Sequence, residues 1–100
     1  MKKIEEIDKN NKEITSIYQH AKKMIQTKNY SSAKTILENC LKSKDISIEK
    51  SFRIDFYMSL GICNFNLLKF IDSQDYFYKA LDITNIYIND FNTEKIIHMK

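Results

Sequence analysis

The chain has 100 residues and a mass of 11.9 kDa, room for one small domain or for a piece of a longer repeat array. One glycine (Gly61) and no proline exclude sandwiches, barrels and hairpin-built folds, which need turn residues every 8–12 positions or so, and leave nothing to build a glycine-rich phosphate loop. The net charge of +3 sits in the first half, where eleven lysines face seven acids; that is too small, and too poor in clustered arginine, for a nucleic-acid footprint.

The apolar residues fall on helical stripes. Ile4, Ile7, Ile14, Tyr18, Ala21 and Ile25 recur at three, four and seven and predict a first helix within residues 3–28. Lys28-Asn29-Tyr30-Ser31 is a break at which Asn29 or Ser31 can cap the next helix. The second helix carries Tyr30, Ala33, Ile36, Leu37, Cys40 and Leu41 and closes at Lys42-Ser43-Lys44-Asp45, where cations suit the negative helix end. A third, from about 48 to 68, is expected to bury Phe52, Phe56, Tyr57, Leu60, Cys63 and Leu67. A fourth, from about 70 to 84, carries Phe70, Ser73, Phe77, Ala80 and Leu81, and residues 86–100 read as the start of a fifth. The fold class expected is therefore all-α, an antiparallel stack of about five helices in a single domain spanning 1–100.

Cys40 and Cys63 lie on apolar stripes without CxxC spacing, so they read as reduced, small core hydrophobes. The basic start of the chain has no apolar segment behind it, and no apolar run approaches the ~18–20 residues of a membrane span. A cytoplasmic protein without membrane or nucleic-acid contact is expected.

Sliding the chain by forty residues aligns its helices without a gap. Ile14 falls on Ile54, Leu41 on Leu81, Ile46 on Ile86 and Ile48 on Ile88. Size classes are kept as well, Ala21 on Gly61, Tyr30 on Phe70, Ala33 on Ser73, Leu37 on Phe77 and Cys40 on Ala80. Small residues let two helices approach, and the large residue one turn on fills the gap beside them.

This pattern resembles the tetratricopeptide repeat, a helix–turn–helix unit with W-x2-L-G-x2-Y followed by A-x3-F. Tyr57-Met58-Ser59-Leu60-Gly61 supplies the aromatic and the Leu-Gly pair, Ser73-x3-Phe77 stands for A-x3-F, and Ala80-Leu81 follows. The first unit is looser, with Ile17, His20-Ala21, Met24, Tyr30, Ala33, Leu37 and Cys40. Asn64 replaces the second tyrosine, and Asn85 stands where proline would be. The resemblance covers residues 14–85 and implies one repeat over about 14–45, a second over about 54–85, and a terminal helix over about 86–100. The forty-residue period, longer than the usual thirty-four, is similar to that of bacterial cytoplasmic receptors for signalling peptides, in which a helical-repeat domain controls an attached regulatory domain. No such attached domain is read in this chain, which would make it a fragment, a relic or a stand-alone module.

In that family the first helix of every pair lines a concave groove. Carried over, the lining is Tyr18, Lys22, Ile25 and Gln26 in the first unit, and Asp55, Met58, Ile62, Phe65 and Asn66 in the second. Amides for a peptide backbone beside apolar side chains suit an extended or helical peptide. Alternatively, Ile62 and Phe65 pack on a neighbouring helix and Lys22 is merely solvated. The family's carboxylate clamp is not reproduced, because Tyr18 and Met58 stand where cations would be wanted. Lys34 and Glu38 fall on the outer helix and are expected to be bystanders.

His20 and His98 lack the further ligands a zinc site needs, Glu94 one turn before His98 being a lone candidate, so no metal or other cofactor is expected. No acid–base pair or activated nucleophile emerges, and the chain is read as no enzyme. Tyr76, Phe77 and Tyr78 cannot all face one core, so one of the tyrosines should point outward. The expected function is non-catalytic binding of a protein or short peptide on the concave face. A homodimer through exposed repeat ends stays open, as does the alternative of a peptide-sensing fragment of a bacterial transcription or signalling regulator.

Overall fold

Two of the helix ends are built by the same device, forty residues apart. A computed structural model describes the backbone of residues 2–44 and 48–99 and the side chains of residues 9–43 and 48–85. It contains α1 (Lys2–Gln26), α2 (Tyr30–Lys44), α3 (Lys50–Asn66) and α4 (Phe70–Met99), so the described fold is all-α. At the end of α1, Lys28 N–H donates to Ile25 O at 3.0 Å and Asn29 N–H to Met24 O at 2.7 Å. At the end of α3, Leu68 N–H donates to Phe65 O at 3.1 Å and Lys69 N–H to Asn64 O at 2.8 Å. Both are Schellman turns, and each needs a left-handed residue just beyond the helix. That residue is Lys28 in one and Leu68 in the other, both with φ 65°.

A side chain in the left-handed region costs roughly 1–2 kcal/mol that glycine avoids. Leu68→Gly should therefore stabilise the chain by about 0.5–1 kcal/mol, part of the gain being offset by the greater freedom of glycine in the unfolded state. Leu68 loses little packing, being largely exposed. Urea unfolding should show the midpoint rise; a lower midpoint would mean the leucine makes a contact worth more than the strain.

Three-residue connections force α1 against α2 and α3 against α4, and α3 packs in turn on the first pair. The core on that seam joins Ile14 and Ala21 of α1, Ala33, Leu37 and Cys40 of α2, and Phe56, Leu60 and Cys63 of α3, with Ile48 at its edge. Phe56 is completely buried and its ring stacks on Tyr18 with centroids 5.7 Å apart. In the second pair, α3 and α4 meet at Gly61: a Cβ there would lie 2.6 Å from Phe77 Cδ1 and 2.7 Å from Phe77 Cζ. The buried Ser73 hydroxyl donates to Gly61 O at 2.7 Å across the same crossing. Only a residue without a side chain lets the Phe77 ring lie there.

Several sequence expectations change. The separate fifth helix is absent, because α4 continues through residue 85 to Met99. Asn85 keeps the backbone N–H that a proline would lack, and the adjacent Thr84 hydroxyl bonds Ala80 O at 2.9 Å within the helix. Phe52, Tyr57 and Leu67 are half-buried rather than buried, and Phe70 and Leu81 are half exposed, since no element covers that side of α4 among the described side chains. Asn29 takes the capping position of α2, its carbonyl accepting from Ala33 N–H, but its side-chain amide donates to Thr27 Oγ1. Asp45, Ile46, and the side chains of Ile4, Ile7, Ile86 and Ile88, lie outside the described residues.

Candidate functional site

The carried-over strip occupies matching positions on α1 and α3, two helices that touch through Tyr18 and Phe56. On α1, Tyr18 is half-buried because one ring face lies on Phe56, and Lys22 Nζ sits 5.5 Å from the ring centroid. Ile25 is half-buried, and Lys22 and Gln26 are exposed. Tyr18 thus ties the two helices together as much as it presents a surface. On α3, Asp55, Met58, Ile62, Phe65 and Asn66 are all exposed. Phe65 meets Phe70 edge to face at 5.5 Å, which fixes the ring without covering it. Asn66 Nδ2 donates to Ile62 O at 2.8 Å, so the amide is held in place with its carbonyl oxygen left to offer. Met58, Ile62 and Phe65 therefore form an apolar strip on a rigid helix, bordered by a carboxylate and an amide.

A polar cleft of about 210 Å³ lies between α2, α3 and α4, and no local pattern in the sequence announces it. It is lined by Lys34 and Glu38 of α2, Asn64 of α3, and Asp72, Asp75, Tyr76 and Lys79 of α4. Tyr76 OH donates to Glu38 Oε2 at 3.0 Å, its ring stacks on Tyr57 at 6.0 Å, and Lys79 Nζ lies 5.2 and 5.8 Å from the Tyr76 and Tyr57 ring centroids. Through that hydrogen bond Glu38 links α2 to α4. The outward tyrosine of the triplet is Tyr78, which is more than half exposed. Asn64 is fully buried; its Nδ2 donates to Leu60 O at 2.8 Å while Oδ1 has no hydrogen-bond partner. The one sequence signal for this region is Asn64 itself, a polar side chain where the repeat pattern has an aromatic.

Cys40 and Cys63 are both buried. Burial pushes the Cys63 thiol up from 9.0 to about 11, against a smaller lowering by Lys34. Burial, and then the hydrogen bond to Glu38, pushes the Tyr76 hydroxyl from 10.0 to about 12. Both groups stay protonated in the folded chain at pH values where the unfolded chain has lost the proton. Their contribution to stability is complete below pH 9.0 and is lost as the pH rises towards about 11 for Cys63, and between 10.0 and about 12 for Tyr76. Melting temperature should therefore be level around neutrality and fall above pH 9.0, with Tyr76→Phe flattening the steeper part of the fall. A melting temperature that climbs with alkali would contradict the burial of both groups.

His20 is exposed, and the side chains of Glu94 and His98 lie outside the described residues. Among the described residues no group of three His, Cys, Asp or Glu side chains is placed to hold a metal ion, and no helix is long and apolar enough to cross a membrane. Comparisons with protein-family models, with curated proteins and with solved structures give no match.

Proposed function

We propose that the chain is a non-catalytic module of two tetratricopeptide-like helix pairs that binds a protein or short peptide on the strip shared by α1 and α3. The observation that carries this reading is the exposure of Met58, Ile62 and Phe65 on one face of α3, next to the held amide of Asn66. Apolar side chains on an already ordered helix bind with little loss of conformational freedom, and the amide oxygen can accept from a peptide N–H. Helix ends at residues 26 and 66, and helix starts at 30 and 70, support the forty-residue repeat on which the resemblance rests. The same strip and period would serve a peptide-sensing part of a bacterial regulator; an effector domain joined to this chain in its native reading frame would favour that second reading.

The test uses a partner recovered from the native cell, followed by calorimetry on variants. Phe65→Ala and Asn66→Ala should each weaken binding by about 1–2 kcal/mol, ~5- to 30-fold, while Asn39→Ala on exposed α2 surface should be neutral. Equal losses from all three, or a loss from Asn39→Ala alone, would place the site elsewhere.

A further inference from the structure

One buried polar side chain has a hydrogen-bonding group unmatched, and it lines the polar cleft. Asn64 is completely buried, and its Oδ1 has no hydrogen-bond partner among the described residues. The orientation of the amide is fixed, because Leu60 O can only accept and therefore takes the Nδ2 end, at 2.8 Å. Oδ1 is thus an acceptor held in place, and a buried acceptor without a donor destabilises the fold. None of the cleft's own donors meets it. Tyr76 OH donates to Glu38 Oε2 instead, and Lys79 Nζ is drawn over the Tyr57 and Tyr76 rings.

Helical spacing assembles the rest of the cleft around this acceptor. Lys34 and Glu38 lie four apart on α2, and Asp72, Asp75, Tyr76 and Lys79 share one face of α4 at spacings of three, four and seven. Asn64 is the most buried of the lining and Asp72 and Asp75 are exposed, so acceptors run from the floor to the mouth. Three carboxylates stand against two ammonium groups, and one of those, Lys79, is engaged by the tyrosine rings. The Tyr76 hydroxyl, pushed up first by burial and then by its bond to Glu38, also feels the negative charge of both Glu38 and Asp72. The volume of about 210 Å³ lies below the ~300–1,000 Å³ of pockets for drug-sized ligands, which suits a group of few atoms.

We propose that the cleft binds a small organic cation with N–H donors, a protonated amine or guanidine, one donor meeting Asn64 Oδ1 and the charge lying beside Asp72 and Asp75. Both requirements, a donor for the buried oxygen and a positive charge for the carboxylates, are met by one N–H-bearing cation. A guanidinium meets them best, because its planar fork carries five N–H donors and keeps its charge. A metal ion does not suit the cleft, since no group of three His, Cys, Asp or Glu among the described residues is placed to hold one. An anion would meet three carboxylates and a carbonyl oxygen. The cleft shares no residue with the strip of the proposed function, so the two can be tested apart.

The test titrates the isotope-labelled full chain with agmatine and follows the Asn64 side-chain and Tyr76 backbone amides by NMR. Saturable binding with a Kd on the order of 1 mM is expected, weakening as salt is raised. Asn64→Leu should weaken it about tenfold while melting no lower than the parent, because leucine removes the unmatched acceptor. Asp72→Asn combined with Asp75→Asn, at exposed positions outside the core, should weaken it about fivefold, which keeps the test open should the leucine variant fail to fold. Asn66→Ala should leave it unchanged. Acetyl-Gly-Arg-Gly-amide presents the same guanidinium from a peptide. Tighter binding than agmatine would identify the cation as an arginine side chain, and weaker binding as a free small molecule. No saturation about tenfold above the expected Kd would overturn the proposal. So would equal binding of tetramethylammonium, which has no N–H donor, or binding that both sets of cleft variants leave intact.

Discussion

Phe56→Ala should cost about 3–5 kcal/mol, the range for removing a fully buried aromatic ring. Phe56 has no exposed surface, stacks on Tyr18 of α1, and belongs to the cluster that joins α3 to α2. Truncation therefore opens a cavity where the two helix pairs meet and also strips Tyr18 of its support. A domain of this size has roughly 5–15 kcal/mol of total stability, so the variant should be partly unfolded at 37 °C or melt far below the parent. Phe65→Ala is the matched control: the same ring, more than half exposed, should cost under about 1 kcal/mol. Urea unfolding of the pair checks the prediction, and comparable losses at the two positions would mean that the seam between the helix pairs is misplaced.

Gly61→Leu should destabilise by about 1–3 kcal/mol, through overpacking instead of a cavity. The Phe77 ring already occupies the space that even a Cβ would need, with Cδ1 2.6 Å from that position. Moving α4 away would strain the 2.7 Å bond from Ser73 to the Gly61 carbonyl. The decisive version reverses the sign. In a Phe77→Ala background the crossing is open, and Gly61→Ala should then stabilise by close to 1 kcal/mol through helix propensity alone. In the parent, Gly61→Ala should be neutral to destabilising, because the Phe77 ring must first be displaced. Thermal unfolding of the four chains closes the cycle, and an equal effect of Gly61→Ala in both backgrounds would remove Phe77 as the cause.

Much of the fold was legible because its signals are local. The stripe of α1, a break around Asn29 and the small residues Ala21, Ala33 and Gly61 each depend only on near neighbours or on the repeat. The close approach at Gly61 follows from its place in the Leu-Gly pair. What was not legible depends on contacts between distant positions. Tyr76 and Glu38 are 38 residues apart, and nothing in either local pattern announces their hydrogen bond. The left-handed turns at Lys28 and Leu68 were hidden because neither residue is glycine, so the turn shows in the hydrogen bonds and not in residue type. The continuation of α4 past residue 84 has no local signal against it, since no glycine or proline stands between Phe70 and Met99, and the boundary between an expected fourth and fifth helix has no helix-breaking residue behind it.

The same reasoning applies to the strip on α1 and α3. The resemblance implies Met58, Ile62, Phe65 and Asn66 as one lining, and spacings of three and four keep them on one side of a helix. It could not divide that face into a part that presents itself and a part that holds the helices together, which is why Tyr18 is half-buried under Phe56 while Phe65 stands clear.

The most direct measurement is amide chemical-shift mapping of the isotope-labelled chain titrated with the partner recovered from its native cell. Binding on the proposed strip should move the amides around Lys22, Gln26, Met58, Ile62 and Asn66 and leave the exposed stretch of α2 around Ser32, Thr35 and Asn39 in place. Shifts confined to α2 and the polar cleft, with the α1 and α3 positions unmoved, would contradict it.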